Sequence, residues 1–191
     1  MAEMYADAAR VNYERDGELA PILVLHSEKR AMHCLMYGDE DMPAAYGRTL
    51  AVGAAVFKPD YVLTVTEVWQ KSVHYEGSEA EARAETDKVR RGDLSRAAQA
   101  GDPSVRTALM TVCWTLDPRD AYSIIDSVQD DKTYDRITTE GEQEGWMIDC
   151  VMGGWKHALT VPPPPIKMTD ELIAQLVAMN GDVAGVMFSD Y

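Results

Sequence analysis

The sequence predicts an α+β fold: a mostly antiparallel sheet, a helix packed across one face, and a C-terminal helical arm. Three observations carry this. The stretch Asp60-Tyr61-Val62-Leu63-Thr64-Val65-Thr66-Glu67-Val68-Trp69 is β-branched and aromatic, follows Pro59, and has no internal glycine or proline, so it reads as a strand. Both of its alternating faces are apolar, which suits a central position. The patterns around it run helix, hairpin, helix, then sequential strands joined by short turns, an order that favours antiparallel pairing.

Taken in order, residues 2–15 predict a short helix with Met4, Ala8 and Val11 as its apolar stripe, ended by Asp16-Gly17. Leu19–His26 and Ala31–Tyr37 form a hairpin whose turn centres on Glu28-Lys29. That register puts Val24 opposite His33 and sets His26 and His33 diagonally on one face. Asp39-Glu40-Asp41 then offers an N-cap and Pro43 an early helical position. The helix runs to about Phe57, kept slim by Gly47, Ala51, Gly53 and Ala55, and is stopped by Pro59. Residues 72–104 read as a charged, solvated helical excursion with the i,i+4 pairs Glu79–Arg83 and Asp87–Arg91. Val105–Leu116, Tyr122–Val128 and Tyr134–Thr138 return as strands separated by Asp-rich turns. Trp146–Trp155 is apolar, but Gly153-Gly154 leaves its type open. Pro162–Pro165 is a stiff extended spacer. Beyond it Thr169-Asp170-Glu171 caps a last helix with Leu172, Ile173, Leu176 and Val177 as its stripe, and Asn180-Gly181 ends it before an apolar tail containing Phe188.

At 191 residues the chain suits one core domain, 1–161, with residues 162–191 as a proline-tethered arm. The net charge of −14 argues against nucleic-acid backbones and anionic membrane surfaces, both of which select clustered Lys and Arg. Cys34, Cys113 and Cys150 are too few and too scattered for a disulfide framework or a zinc knuckle. No signal-peptide pattern opens the sequence and no apolar run approaches ~20 residues, so a cytoplasmic location is expected, of a cell or of an infected host, or in a virion.

Catalytic motifs are missing: no phosphate-binding GxxxxGKS/T, no GxGxxG after a strand, no GxSxG, no HExxH. Glu67 lies between Val65 and Trp69 on an apolar strand face, where a carboxylate is either paired or shifted toward acid–base use. Asp149 is a second carboxylate in an apolar run. His26 and His33 with Glu67 would make a His-His-carboxylate set for a divalent metal if the registers bring them together. No cofactor is expected. Leu172, Ile173, Leu176, Val177 and Phe188 are the candidate binding residues, because a tethered helix and apolar tail need a surface to dock on, either their own domain or another subunit.

Glu67-Val68-Trp69 at the end of the central strand, Gly101-Asp102-Pro103-Ser104-Val105-Arg106-Thr107-Ala108-Leu109, and then Tyr134 and Arg136 resemble a pattern found in a family of uncharacterised small proteins of phages and plasmids. In that family a strand ends in Glu-Ala/Val-Trp and an Asp-Pro-x-Arg-x-Ala-Leu run follows; here Arg106 stands one residue later. The resemblance spans residues 17–140 and implies a viral or mobile-element origin, with Arg106 as a partner for Glu67. The expected function is a non-catalytic interaction or assembly protein that binds a protein partner or itself through the arm. The alternative is a small hydrolase using Glu67.

Overall fold

The computed structural model describes residues 1–38, 41–71, 77–86, 93–129, 133–141, 146–162, 164–165 and 167–190. The elements are α1 (Ala2–Asp16), β1 (Ile22–Ser27), β2 (Arg30–Met36), α2 (Met42–Phe57), β3 (Tyr61–Lys71), α3 (Glu79–Thr86), α4 (Asp93–Gln99), β4 (Val105–Trp114), β5 (Tyr122–Val128), β6 (Tyr134–Glu140), α5 (Trp146–Thr160), α6 (Asp170–Ala178) and β7 (Val183–Asp190). The strands form one sheet in the order β6-β5-β4-β3-β1-β2-β7, antiparallel throughout. This is the α+β architecture expected, with β3 in the middle.

Period-2 alternation divides the sheet. Leu23 and Leu25, Met32 and Cys34, Val62, and Val112 and Trp114 face α2, α5 and α6, where the largest core cluster lies. Val24, Ala31, Leu63, Val65, Leu109 and Ile124 face α1 on the other side. The expected helix across one face is α2. It is capped at its end by Lys58 in the left-handed region, φ 55°, whose N–H donates to the Ala54 carbonyl at 3.1 Å, just before Pro59.

The inward stripe of α1 differs from expectation. Ala2, Ala6 and Ala9 are buried, with Tyr5 and Tyr13 beside them, while Met4 and Val11 are exposed. The small residues let the helix axis lie close to the sheet, and the larger apolar side chains are left outside. Residues 146–160 are helical despite Gly153-Gly154. Gly154 is the closest point of the α2–α5 crossing: a methyl group there would overlap the Gly47 carbonyl, and one on Gly47 would stand 2.5 Å from the Cys150 carbonyl oxygen. The two backbones touch because neither side has a Cβ.

The C-terminal arm docks on its own domain, one of the two surfaces open to it. Residues 170–190 fold back into the domain: α6 packs on α2, and β7 pairs with β2 from Arg30↔Asp190 to Met36↔Val183. Ile173 and Val177 are buried in the main core and Phe188 packs against it, while Leu172 and Leu176 are half-buried. Burying two such aliphatic side chains stabilises by about 2 kcal/mol each, which is the reason the stripe docks at home. Ion pairs close the return. Arg30 meets Asp170 at 2.6 Å with its guanidinium over Phe188 and Phe57, and Arg48 grips Asp182 with two bonds of 2.9 and 2.8 Å. The Thr169 hydroxyl accepts from the Leu172 N–H at 3.3 Å, the cap read from the sequence.

Of the charged excursion, α3 and α4 are described and α4 packs against β3 and β4. The pair Asp87–Arg91 and the side chains of Glu79 and Arg83 lie outside the described residues.

Candidate functional site

The hairpin register is as expected: Val24 is opposite His33 and His26 opposite Ala31, so both imidazoles stand on the α1 side of the sheet. The β1–β3 register separates them from Glu67. His26 is opposite Tyr61, six positions along β3 from Glu67, or roughly 20 Å of strand. The expected His-His-carboxylate set therefore does not assemble. Among the described residues no group of three His, Cys, Asp or Glu could hold a metal ion. His26 is instead a buried ring stacked on Tyr61, with centroids 4.3 Å apart, and His33 Nε2 lies 3.0 Å from the Ser189 hydroxyl. Burial holds both imidazoles below the usual histidine range. Asp60 opposes this at His26, and the His26 charge adds to it at His33.

Glu67 is half-buried, and its carboxylate accepts the Leu19 N–H at 3.3 Å. Burial pushes its carboxyl above the usual glutamate range, opposed by that hydrogen bond and reinforced by Glu18. The cause is where β1 begins. Pro21 has no N–H, and its carbonyl turns to the Met36 N–H at 2.8 Å, so the β1–β3 ladder starts only at Ile22↔Val65. Glu67 takes over as acceptor for the backbone that has left the sheet.

Two other expected partnerships fail on geometry. Asp149 is exposed on α5, on the opposite side of the sheet from the Glu67–Leu19 contact, so the two carboxylates do not converge. Arg106 is opposite Gln70, three positions from Leu109, the cross-strand neighbour of Glu67, and therefore faces the other way; it bonds the Gln129 side-chain oxygen.

A carboxylate the sequence reading passed over is more deeply placed. Asp126 is fully buried, and Arg136 on β6 holds it with bonds of 2.7 and 2.8 Å. Arg136 also reaches Asp7 at 2.9 Å, Arg10 reaches Asp7 at 2.7 Å, and Arg10 lies 3.8 Å from Asp126. Two α1 residues and two sheet residues thus form one alternating-charge square. Arg136 holds the Asp7 carboxyl below the usual range, with Arg10 assisting, and Asp126 and Asp7 push the Arg136 guanidinium higher still. The signal was the one noticed at Glu67: Asp126 lies between Ile124 and Val128 on one strand face, opposite Arg136.

A cleft of about 1020 Å3 opens beside β3. Thr66, Glu67, Val68 and Trp69 all line it, and four consecutive strand residues cannot all point to one face. The cleft therefore runs along the edge of β3. Beyond Val65 that edge has no β1 partner, although β4 continues opposite β3 as far as Lys71↔Val105. Met42 and Pro43 at the start of α2, Leu94 on α4 and Met147 on α5 form apolar walls, and Asp41 stands at the rim. Trp69 is 42% exposed.

Among the described residues a second open edge is β7, the last strand of the sheet. From Val183 to Ser189 it carries no charge, and Met187 is 67% exposed. The opposite margin, β6, carries Asp135, Arg136 and Glu140. Among the described residues no helix is long and apolar enough to cross a membrane. Compared with family models, with curated proteins and with solved structures, the chain matches none.

Proposed function

We propose that the protein is a non-catalytic assembly protein that pairs with a second copy of itself through the open edge of β7. The carrying observation is the contrast between the two sheet margins: β6 is guarded by charges, whereas β7 offers seven uncharged residues ending in a single acid. A two-fold antiparallel pairing of β7 with itself is self-complementary. It sets Asp190 of one copy against Val183 of the other and holds the two Asp190 carboxylates roughly 24 Å apart, well beyond a Debye length. Two chains of net charge −14 need such a neutral seam to meet. Ile173 and Val177 belong to the domain's own core, and the strand that follows, which carries Phe188, supports the binding role instead. The resemblance to small phage and plasmid proteins is compatible with an assembly component working in the cytoplasm.

Light scattering on the purified chain tests this. A mass near twice 21.2 kDa is expected. Gly185→Lys returns it to the monomer without lowering the melting temperature, because a Cβ at Gly185 meets nothing within 4 Å. A wild-type monomer at high concentration would sink the proposal.

A second reading, a hydrolase built on Glu67, is supported by a carboxyl raised by burial on the lining of the cleft beside β3. Turnover of a panel of chromogenic esters and glycosides, abolished by Glu67→Gln, would establish it.

A further inference from the structure

The cleft beside β3 carries an inference independent of self-association. We propose that it takes an extended, basic peptide segment of a partner protein, added as a strand along the free edge of β3 at residues 66–71. The argument begins with backbone. Six residues of β3 are held by β4 on one side and by no strand of the described residues on the other, a length of roughly 20 Å. Among the described residues the backbone groups on that edge have no strand partner, the Glu67 carbonyl accepting only the Thr66 hydroxyl at 3.2 Å, and the cleft leaves room for an incoming chain to pair with them. A helix or a compact ligand would meet these groups one at a time; an extended peptide meets them in register.

The cleft also fits the side chains such a peptide brings. One set of alternating residues falls beside the apolar walls of Met42, Pro43 and Met147, and the other faces Glu67 and the exposed ring of Trp69 on the opposite side of the strand. The charges favour a basic sequence. Among the described residues Asp41 and Glu67 line the cleft, and the one lining arginine, Arg96, is engaged by Asp93 on the same helix. A lysine or arginine brought near Glu67 supplies the positive charge that the Leu19 N–H replaces only in part. Trp69 adds a cation–π face for the same side chains. The overall charge of −14 speeds the approach of a basic segment and repels an acidic one.

The probe is an acetylated, amidated, fluorescein-labelled octapeptide of alternating lysine and valine, followed by anisotropy at 0.15 M salt with the full chain. Saturable binding at micromolar concentrations is expected, weakened about tenfold or more by Trp69→Ala and severalfold by Glu67→Gln. Trp69→Ala alters an exposed side chain, and an unchanged melting temperature shows that the fold is kept. Two control peptides separate the components of the claim. The same peptide N-methylated at alternate residues cannot pair as a strand, and the glutamate–valine counterpart has the wrong charge; neither binds below ~1 mM. The proposal is overturned if the lysine peptide fails to bind at that concentration, or if either control binds as tightly. It is overturned equally if Trp69→Ala leaves the affinity unchanged, since that is what general attraction to an acidic surface would give. Gly185→Lys tests β7 pairing separately, so either proposal can fail without the other.

Discussion

The two sides of the sheet are built by different means. On one, α2, α5 and α6 lay large apolar side chains over the strands, with Trp114, Trp155, Tyr46 and Leu50 essentially inaccessible. On the other, α1 is the helix among the described residues that covers β3, β4 and β5, its contact surface made of Ala2, Ala6 and Ala9 with Tyr5 and Tyr13 beside them and its position fixed by Asp7, Arg10, Asp126 and Arg136. Where β2 and β7 run past α1, Leu35 and Met187 are exposed. The difference teaches that one side is held by packing density, which tolerates little change of volume, and the other by a charge arrangement, which tolerates little change of partner.

The largest effect is expected where helices touch backbone to backbone. Gly154→Ala forces a methyl group into the Gly47 carbonyl and costs about 3 kcal/mol or more in chemical denaturation. A loss under ~1 kcal/mol would mean that α5 slides freely on α2 and that the crossing is not tightly packed.

On the α1 side the corresponding blow is Arg136→Ala. It leaves Asp126 buried with only Arg10 near it and costs about 3 kcal/mol. Arg136→Lys recovers only part of this, because a single ammonium cannot reproduce the two-pronged grip. Arg48→Ala breaks an equally well-formed pair in which the arginine is half-exposed, and costs under ~1 kcal/mol. If the two alanine variants lose the same stability, burial is not what distinguishes them.

The smallest effects follow pH and also belong to the α1 side, where His26, His33 and Glu67 stand. Both histidines are held below their unfolded values, so the folded state takes up fewer protons. Stability is full above the unfolded histidine pKa, near 6.5, and declines as pH falls through it toward the folded values. Glu67 works in the opposite direction. Its raised carboxyl contributes stability below the unfolded glutamate pKa that is lost as pH rises through the folded value, so Glu67→Gln raises the melting temperature at pH 8 and leaves it unchanged at pH 3. Melting temperatures of the wild type, His26→Phe and Glu67→Gln across this range check both signs. A histidine variant as acid-sensitive as the wild type would remove His26 from the account.

Where sequence reading succeeded and where it failed follows the same division. Alternation in Tyr61–Trp69 and Val105–Trp114 gave strands with the correct faces, and the turn at Glu28-Lys29 gave the correct hairpin register, because both are properties of neighbouring residues. The glycine pair in α5 was ambiguous because glycine weakens a helix locally, while what retains it here is the α2 backbone lying more than a hundred residues earlier. The stripe of α1 was misread because alanines carry little hydrophobic weight, although Ala2, Ala6 and Ala9 keep helical spacing. The proposed cleft was invisible, since it exists only where β1 stops short of β3.

By itself the sequence determined the kind and order of α1, α2, α6 and the first six strands, the centrality of β3 and the Thr169 cap of α6. Those depend on dihedral preference, periodicity and charge within a turn or two of chain. Tertiary structure alone decided that α6 and β7 return to their own domain, that Asp126 rather than Asp149 is the buried acid, and that Glu67 lies far from His26. Each depends on which strands become neighbours and in what register. A shift of one residue there reverses a side chain's face, and no local preference encodes it.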